Sequence, residues 1–343
     1  MKISKTVAAV VGVGLVAAGL LTAGPASADP NGTPAGNTRP LQGVGSDTTQ
    51  NVMSDLADAI TIGGVKVIAS WDATGTGSFT TRSGNAACTY PRAEANGSGN
   101  GRSRLLESLT SGNARSGCLD FSRSSSARGT FTSGGPASAT SMTWVPFASD
   151  ASTVVVRADG GLPRSYTLAD LQSIYRCELV PDIYPVLPQT GSGSRSFWLT
   201  TMNITEAQIS AGTYPCLTGA GTTASRAYVQ ENDSRTLKTD EVFPFSIGLY
   251  NTQAAGVNPD FRGKAVLAQV GGALPQETTE GFPINRALYN IIPTSKIGTA
   301  PWSTVFVGSS SLVCTSTATT IKNGFKPLTA TSTPVCGDTS SQS

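Results

Sequence analysis

The sequence predicts a mixed α/β protein built from two lobes. Segments rich in β-branched residues alternate with segments of helical pattern, as is typical of α/β architectures. About 300 residues lie between the polar ends of the chain, which is large for one hydrophobic core and natural for two. Four loops rich in Ser, Thr and Gly precede predicted helices, so backbone N–H groups and hydroxyls are available there for an oxyanion.

Residues 1–28 have the features of an export signal. Lys2 and Lys5 precede an apolar run at 7–21, and the Ala-Ser-Ala at 26–28 fits the small-residue cleavage pattern. The apolar run is short for a membrane span, and the sequence near the predicted cleavage site has no cysteine for a lipid anchor. We therefore expect a secreted, extracytoplasmic protein with no membrane insertion after cleavage.

The charge balance bears on the class of partner. The chain has 24 Lys and Arg, 22 Asp and Glu, and no His. Loss of the two signal lysines would bring the formal charge from +2 to zero. A neutral chain argues against nucleic acid or an anionic membrane as the main partner. A bound anion would have to be held by local groups.

Six cysteines in an exported chain favour disulfides. They are Cys88, Cys118, Cys177, Cys216, Cys314 and Cys336. Pairing neighbours in order is the arrangement we expect among fifteen possible connectivities, and each bridge would stabilise the fold by roughly 3–4 kcal/mol. Without a Cys-x-x-Cys pair or any histidine, the usual zinc sites are not expected, and no cofactor is predicted.

The missing histidine also removes the Ser-His-Asp and Cys-His mechanisms. The sequence has no Gly-x-Ser-x-Gly or Ser-x-x-Lys motif, so no catalytic residues are predicted. Glu206, Glu231 and Asp233 form no recognisable acid/base pair in sequence, although a glycosidase-like pair stays open. A non-enzymatic protein is the expectation.

The residue patterns predict the following elements in chain order. The Pro/Gly/Asn-rich stretch 29–40 is predicted to lack fixed structure. Helices are predicted at 49–60, 102–109, 168–175 with Thr167 as N-cap, 195–202 and 317–325. Strands or extended segments are predicted at 65–71, 142–147, 152–157, 242–250 and 287–293, with a polar turn between the second and third. This alternation predicts parallel sheets with functional loops at their carboxyl ends.

Three of the loops carry a resemblance to a known family. They read Gly-Val-Gly-Ser-Asp-Thr-Thr-Gln at 43–50, Leu-Asp-Phe-Ser-Arg-Ser-Ser-Ser at 119–126 and Pro-Gln-Thr-Gly-Ser-Gly-Ser-Arg-Ser-Phe-Trp at 188–198. From Gly43 to about Leu328, the chain resembles the phosphate-binding proteins of ABC importers, in a divergent secreted form. The resemblance implies a type II periplasmic-binding-protein-like fold of two lobes, with the ligand in the cleft between them.

The same resemblance implies the lobe boundaries and the partners. Lobe 1 would comprise 40–148 and 283–343, and lobe 2 would comprise 149–282. The chain would cross between the lobes near 143–148 and 281–286. The implied partners are phosphate or a related oxyanion and an ABC permease, with the protein itself a monomer.

Carried over by position, the resemblance implies a set of ligand-binding residues from four loops. Arg123 and Arg195 join the set as neighbouring sources of positive charge. The full set is Ser46, Asp47, Thr48, Ser98, Arg123, Ser124, Ser125, Ser192, Gly193, Ser194 and Arg195.

The chain departs from the family pattern at two positions. Ser125 stands where the family has an aspartate that accepts the phosphate proton, and Pro188 stands where it has an arginine. A carboxylate there would repel a fully ionised anion, so its loss puts discrimination between phosphate and sulfate in question unless Asp47 or Asp72 replaces it. These departures and the missing lipid anchor keep an alternative open, a secreted two-lobe interaction or adhesion protein that has lost its ligand.

Overall fold

A mixed sheet of nine strands runs through the molecule, flanked by helices. The computed structural model describes residues 29–30, 39–128, 139–179, 182–217, 228–275 and 281–340. The predicted signal at 1–28 lies outside these ranges. None of the helices in the described ranges is long and apolar enough to cross a membrane.

The helices of the described ranges are numbered in chain order. They are α1 Gln50–Ala59, α2 Arg92–Ala95, α3 Ser98–Leu109, α4 Leu168–Tyr175, α5 Gly193–Met202, α6 Glu206–Ser210, α7 Ile247–Ala254, α8 Trp302–Phe306, α9 Leu312–Thr315 and α10 Thr317–Lys322.

The strands of these ranges are numbered in the same way. They are β1 Leu41–Gly45, β2 Thr61–Ile62, β3 Val65–Lys66, β4 Ile68–Ser70, β5 Ser78–Thr80, β6 Thr89–Pro91, β7 Phe121–Ser124, β8 Met142–Arg157, β9 Ser165–Tyr166, β10 Tyr184–Pro185, β11 Leu187–Pro188, β12 Tyr228–Val229, β13 Glu241–Ser246, β14 Ala265–Leu267, β15 Gln269–Val270, β16 Asn285–Pro293 and β17 Lys326–Pro327.

The large sheet has the order β10-β13-β8-β16-β7-β1-β4, with β14 and β17 also paired to β8. β1 runs parallel to β4 and β7, whereas β16 runs antiparallel to β7 and β8. The prediction of parallel sheets is therefore right around β1 and wrong around β8. The antiparallel pair arises because β8 and β16 run in opposite directions between two halves of the molecule, the first half containing β1, β4 and β7 and the second half containing β10 and β13.

The predicted strands 142–147 and 152–157 form one strand, β8, so the predicted polar turn between them is wrong. Asp150 lies in the middle of β8 and is fully buried. It is the register partner of Arg286 on β16, and the two side chains form an ion pair. A polar residue that would end an isolated strand is satisfied here by its cross-strand neighbour.

The predicted helices exist, and all of them except α4 have shifted ends. The predicted N-cap of α4 is confirmed by a capping box in which the Thr167 side chain accepts the N–H of Asp170. The predicted extended segment 242–250 is wrong in its second half. The Ser246 hydroxyl accepts the N–H of Leu249 and starts α7 there. The last predicted helix ends early, at Lys322, because Gly324 has a φ of +83°.

The stretch 29–40 is more ordered than predicted where the structure describes it. Arg39 is buried, and its Nη1 donates to the carbonyl oxygen of Ile68 at 2.8 Å. The Asp29 carboxylate pairs with Arg92 and accepts the N–H of Asp72 at 3.0 Å. Buried polar partners fix these two ends despite their turn-forming composition, and residues 31–38 lie outside the described ranges.

The predicted disulfide pairing is confirmed at all three bridges, Cys88–Cys118, Cys177–Cys216 and Cys314–Cys336. One apolar cluster, around Trp71 and Tyr90, belongs to the first half, and another, around Trp198 and Tyr175, belongs to the second. A third cluster follows β8 and contains residues of both halves, including Phe121 and Phe243. The two halves thus have separate cores and a shared apolar seam.

Candidate functional site

Three of the predicted loops meet at one edge of the sheet. β1 and β7 are parallel neighbours, so the residues after Gly45 and Ser124 lie side by side at the carboxyl ends of the strands. Ser98 opens α3 beside them, and its Oγ accepts the N–H of Ser125 at 3.0 Å and lies 3.4 Å from the Ser125 Oγ. Their side chains are fully buried.

α3 begins at Ser98, four residues before the predicted start at 102, because the glycines of its first turn allow close packing. A Cβ on Gly101 would lie 2.4 Å from the Cα of Gly45. A Cβ on Gly99 would lie 3.1 Å from the carbonyl oxygen of Gly191, to which the Gly99 N–H donates at 2.8 Å. The glycine-rich turn thus lets two backbone segments approach the start of α3.

The fourth loop comes from the other half of the molecule. Ser192 is the N-cap of α5, and its Oγ accepts the N–H of Arg195 at 3.0 Å. The hydroxyl of Ser194 lies 3.1 Å from that of Thr48, 146 residues away in sequence. A Cβ on Gly193 would lie 2.1 Å from the Ser98 Oγ, so only glycine fits this contact. The structure therefore brings all four predicted loops together.

Arg286 supplies a buried positive charge to this cluster, and the sequence did not assign it a role. Its Nη1 donates to the carbonyl oxygen of Ser125 at 3.1 Å and to the Ser194 Oγ at 3.0 Å. Its Nη2 lies 3.0 Å from the Asp150 carboxylate. Burial raises the pKa of Asp150, while Arg286 and the hydroxyl of Ser246 act in the opposite direction. Arg286 thus contacts both halves from the strand that connects them.

Arg123, one of the predicted ligand-binding residues, is fully buried beside the cluster. Its Nε donates to the carbonyl oxygen of Ser46 at 3.2 Å and its Nη1 to the Ser70 Oγ at 2.9 Å. Burial lowers the pKa of Arg123 to about 10, while the nearby carboxylates of Asp72 and Asp47 favour its charged form. Its Nη2 and the Ser46 Oγ are buried with no hydrogen-bond partner among the described residues.

Two other predicted residues have their polar groups engaged locally. Arg195 forms a bidentate ion pair with Glu206, with Nε–Oε1 at 2.6 Å and Nη2–Oε2 at 2.8 Å. Its Nη1 donates to the carbonyl oxygen of Pro188. The Ser124 hydroxyl donates to the carbonyl oxygen of Ser126 at 2.8 Å. The guanidinium of Arg195 is thus directed toward Glu206 and not toward the hydroxyl groups of Ser98, Ser125 and Ser194.

Two carboxyl groups lie close to each other near the start of α5. One belongs to Asp47 of the first half and the other to Glu231 of the second half. Oε2 of Glu231 accepts from the Ser192 hydroxyl and from the N–H of Ser194. The Gln230 side chain donates to the Asp47 carboxylate at 3.2 Å. Burial, followed by the charge of Glu231, raises the pKa of Asp47 well above its usual range.

A cavity of 720 Å³ opens beside this carboxyl pair, between the two halves. Its described walls carry five carboxylates and three cationic side chains. Such a lining provides no broad positive field, so an anion would depend on the local donors of the four loops. Within the described ranges, no group of three or more Cys, Asp or Glu residues is arranged to hold a metal ion.

Comparison with solved structures finds proteins described as phosphate-binding. One is a Clostridium perfringens protein assigned as a phosphate ABC transporter substrate-binding protein and solved with bound phosphate. It is 11% identical, with a TM-score of 0.53, covering 84% of this chain and 99% of that one. A phosphate transport receptor from Vibrio cholerae gives 14% identity, a TM-score of 0.48 and coverages of 83% and 99%. A human phosphate binding apolipoprotein gives 14%, 0.48, and coverages of 84% and 91%.

No protein-family model matches the sequence, and a search of curated proteins finds no relative. The Clostridium structure shows that the chain has the two-lobe α/β fold of periplasmic binding proteins, with a cleft between the lobes. This confirms the predicted fold class. At 11% identity the likeness concerns the fold, and the function has to be argued from the site.

Proposed function

We propose that the chain is an extracytoplasmic solute-binding protein that captures an oxyanion in the interlobe cleft, with inorganic phosphate as the first candidate. The observation that carries this proposal is the meeting of four donor-rich loops around Arg286. Ser98 and Ser125 come from one lobe, and Ser194 comes from the other. Arg286 contacts Ser125 and Ser194. A guanidinium with converging hydroxyl and N–H donors suits a tetrahedral oxyanion.

The energetics of this site depend on closure. Burying an anion costs free energy unless hydrogen bonds replace its water. Charge-assisted bonds contribute about 1.5–3 kcal/mol each, so several donors from both lobes can offset the cost. Since Thr48 and Ser194 are in contact across the cleft, closure is what assembles the donors. The lobe boundaries 40–148 with 283–343, and 149–282, are part of this proposal.

The proposed location outside the cytoplasm rests on the predicted signal and the three disulfides, which persist in oxidising compartments. An ABC permease is the proposed partner, and the protein is proposed to act as a monomer without catalysis. The Clostridium perfringens structure is named as that of a phosphate ABC transporter substrate-binding protein, which supports this assignment.

The test is calorimetric titration of the mature protein with phosphate and then sulfate. Bound anion is first removed by unfolding with the disulfides intact, followed by refolding. We expect phosphate binding, weakened about five- to tenfold by Ser194→Ala, because a hydrogen bond to a charged group is lost. Ser196→Ala is the matched control, since its hydroxyl donates to the Ser192 carbonyl oxygen within the same helix. Equal affinities in the two variants would contradict the site.

A second candidate is the secreted interaction protein that has lost its ligand. The observation in its favour is the Glu231 carboxylate, which already engages Ser192 and Ser194 at the start of α5. No heat from phosphate or sulfate, in protein shown to be folded, together with retention on cell-wall material, would favour this candidate over anion capture.

A further inference from the structure

Glu231 lies where the proposed anion would be held by the second lobe. It follows β12 and is only 1% exposed. Its Oε2 accepts from the Ser192 hydroxyl and, at 3.3 Å, from the N–H of Ser194. These groups form the N-terminus of α5, a helix of ten residues whose dipole favours negative charge there. The carboxylate of the chain itself thus occupies the donors that an oxyanion needs.

The backbone holds Glu231 in this position. Its N–H donates to the Gln189 side chain at 2.9 Å, and the N–H of Gln189 donates to the carbonyl oxygen of Val229 at 2.9 Å. The segment is therefore fixed to the loop that precedes α5, and the carboxylate reaches Ser192 without a long flexible connection.

A purely structural helix cap does not account for the whole carboxylate. The second oxygen, Oε1, is buried and has no hydrogen-bond partner among the described residues. An ionised carboxylate buried with one oxygen unsatisfied is costly. The arrangement is therefore one that a proton or an exchanging ligand can stabilise.

The surrounding charges make the replacement of the Glu231 carboxylate by an anion sensitive to pH. Asp47 lies close to Glu231 from the other lobe, and the charge of Glu231 helps to raise the pKa of Asp47. An oxyanion would add a third negative charge to a buried site. The other charged groups around it are Arg123 on β7, Arg286 on β16, Asp150 on β8, and Asp72, Asp233, Arg92 and Arg235 along the cavity.

We propose that Glu231 is an intramolecular competitor of the oxyanion at the N-terminus of α5, so that anion binding is coupled to proton uptake by the Asp47–Glu231 pair. The inference rests on the proposed function and adds a regulation to it. Affinity should rise as the pH falls, because protonation removes a negative charge that opposes the incoming anion.

The test compares the wild-type protein with Glu231→Gln in phosphate titrations at several pH values. Gln keeps an acceptor oxygen for Ser192 and removes the charge. We expect Glu231→Gln to bind phosphate about tenfold more tightly near pH 8, with the difference shrinking below about twofold near pH 5. Phosphate itself changes protonation over this pH range, but the change is the same for both proteins. It therefore cancels in the ratio of their affinities. Glu178→Gln, an exposed carboxylate of the same lobe, is the control and should match the wild type.

A second measurement does not depend on any variant. Titration of the wild-type protein with sulfate, whose charge is constant over this range, in two buffers of different ionisation enthalpy gives the protons taken up on binding. We expect net proton uptake by the wild-type protein when sulfate binds.

The outcomes separate the two proposals. Weaker phosphate binding by folded Glu231→Gln at every pH would show that Glu231 contacts the ligand as an acceptor, and would overturn the competitor role while leaving anion capture intact. Equal phosphate binding by Glu231→Gln and wild type, or anion binding without proton uptake, would also overturn the competitor role of Glu231 and leave anion capture intact. No binding of either anion by either protein from pH 5 to pH 8 would overturn the proposed function and this inference with it.

Discussion

Two buried arginines, Arg195 and Arg286, each pair with a carboxylate, and their surroundings differ in one instructive respect. Arg195 and Glu206 are eleven residues apart and both lie within the proposed second lobe. Arg286 and Asp150 are 136 residues apart and lie on β16 and β8, the strands that would connect the proposed lobes. The first pair uses both carboxylate oxygens, whereas Arg286 contacts only Oδ2 of its partner.

The difference between the two arginines continues at the nitrogen that each one does not use for its carboxylate partner. The third nitrogen of Arg195 is bound to the carbonyl oxygen of Pro188, again within its own lobe. The third nitrogen of Arg286 contacts Ser125 of one lobe and Ser194 of the other. A bidentate pair closed within one lobe stabilises that lobe, whereas a monodentate pair on the connecting strands keeps a donor directed at the cleft.

The largest expected effect is on stability at the first pair. Arg195→Met should lower the free energy of unfolding by about 3–5 kcal/mol, because it leaves Glu206 as an uncompensated, largely buried charge. Denaturant unfolding with disulfides intact measures this. Phosphate affinity of the folded protein should stay within about twofold of the wild type.

The control for Arg195→Met is Arg164→Met, which removes an exposed arginine of the same lobe and should cost less than about 0.5 kcal/mol. A strong loss of phosphate affinity in folded Arg195→Met would place Arg195 in the site after all, and the contrast between the two arginines would fail.

The next effect is on binding at the second pair. Arg286→Lys keeps the charge and loses the planar fork, so Asp150, Ser125 and Ser194 can no longer be engaged together. We expect phosphate affinity to fall about 10- to 100-fold. The loss of stability should be smaller than in Arg195→Met because the buried carboxylate keeps a cation. Unchanged affinity would exclude Arg286 from the anion site.

The smallest effect should come from removing both partners of the first pair. Arg195→Met combined with Glu206→Leu should recover most of the stability lost in the single variant, leaving a deficit of about 1–2 kcal/mol from the unsatisfied Pro188 carbonyl oxygen. The double variant is measured by the same unfolding experiment. A deficit as large as that of the single variant would mean that the pair stabilises the lobe by more than charge compensation.

Local patterns predicted local structure well. Thr167 and Asp170 predicted the start of α4 because a capping box involves residues only three apart. The disulfide pairing in chain order was confirmed, since each bridge joins neighbouring cysteines. The break predicted inside β8 was wrong because the partner that satisfies Asp150 lies on β16, beyond the reach of a local pattern.

The predicted site likewise has parts that a local pattern indicates and parts that only the tertiary structure brings together. The loops around Ser98 and Ser194 were found because Ser/Gly stretches before helices are visible in sequence. Arg286 was placed near a lobe crossing but without a role, and Glu231 was considered only as a possible catalytic carboxylate. Register in a sheet and contact across a cleft give them their partners, and neither is encoded by spacing along the chain.

The sequence by itself determined most of the helices, the donor-rich loops and the pairing of neighbouring cysteines, because these depend on residues close together along the chain. Its length and its family resemblance indicated the two-lobe class. Only the tertiary structure decided which charges meet in the cleft. It directed Arg195 to Glu206 and Arg286 to Ser194, and it set Glu231 against Ser192. The physical reason is that burial makes each charge depend on the few groups within hydrogen-bond distance, and folding alone selects those groups.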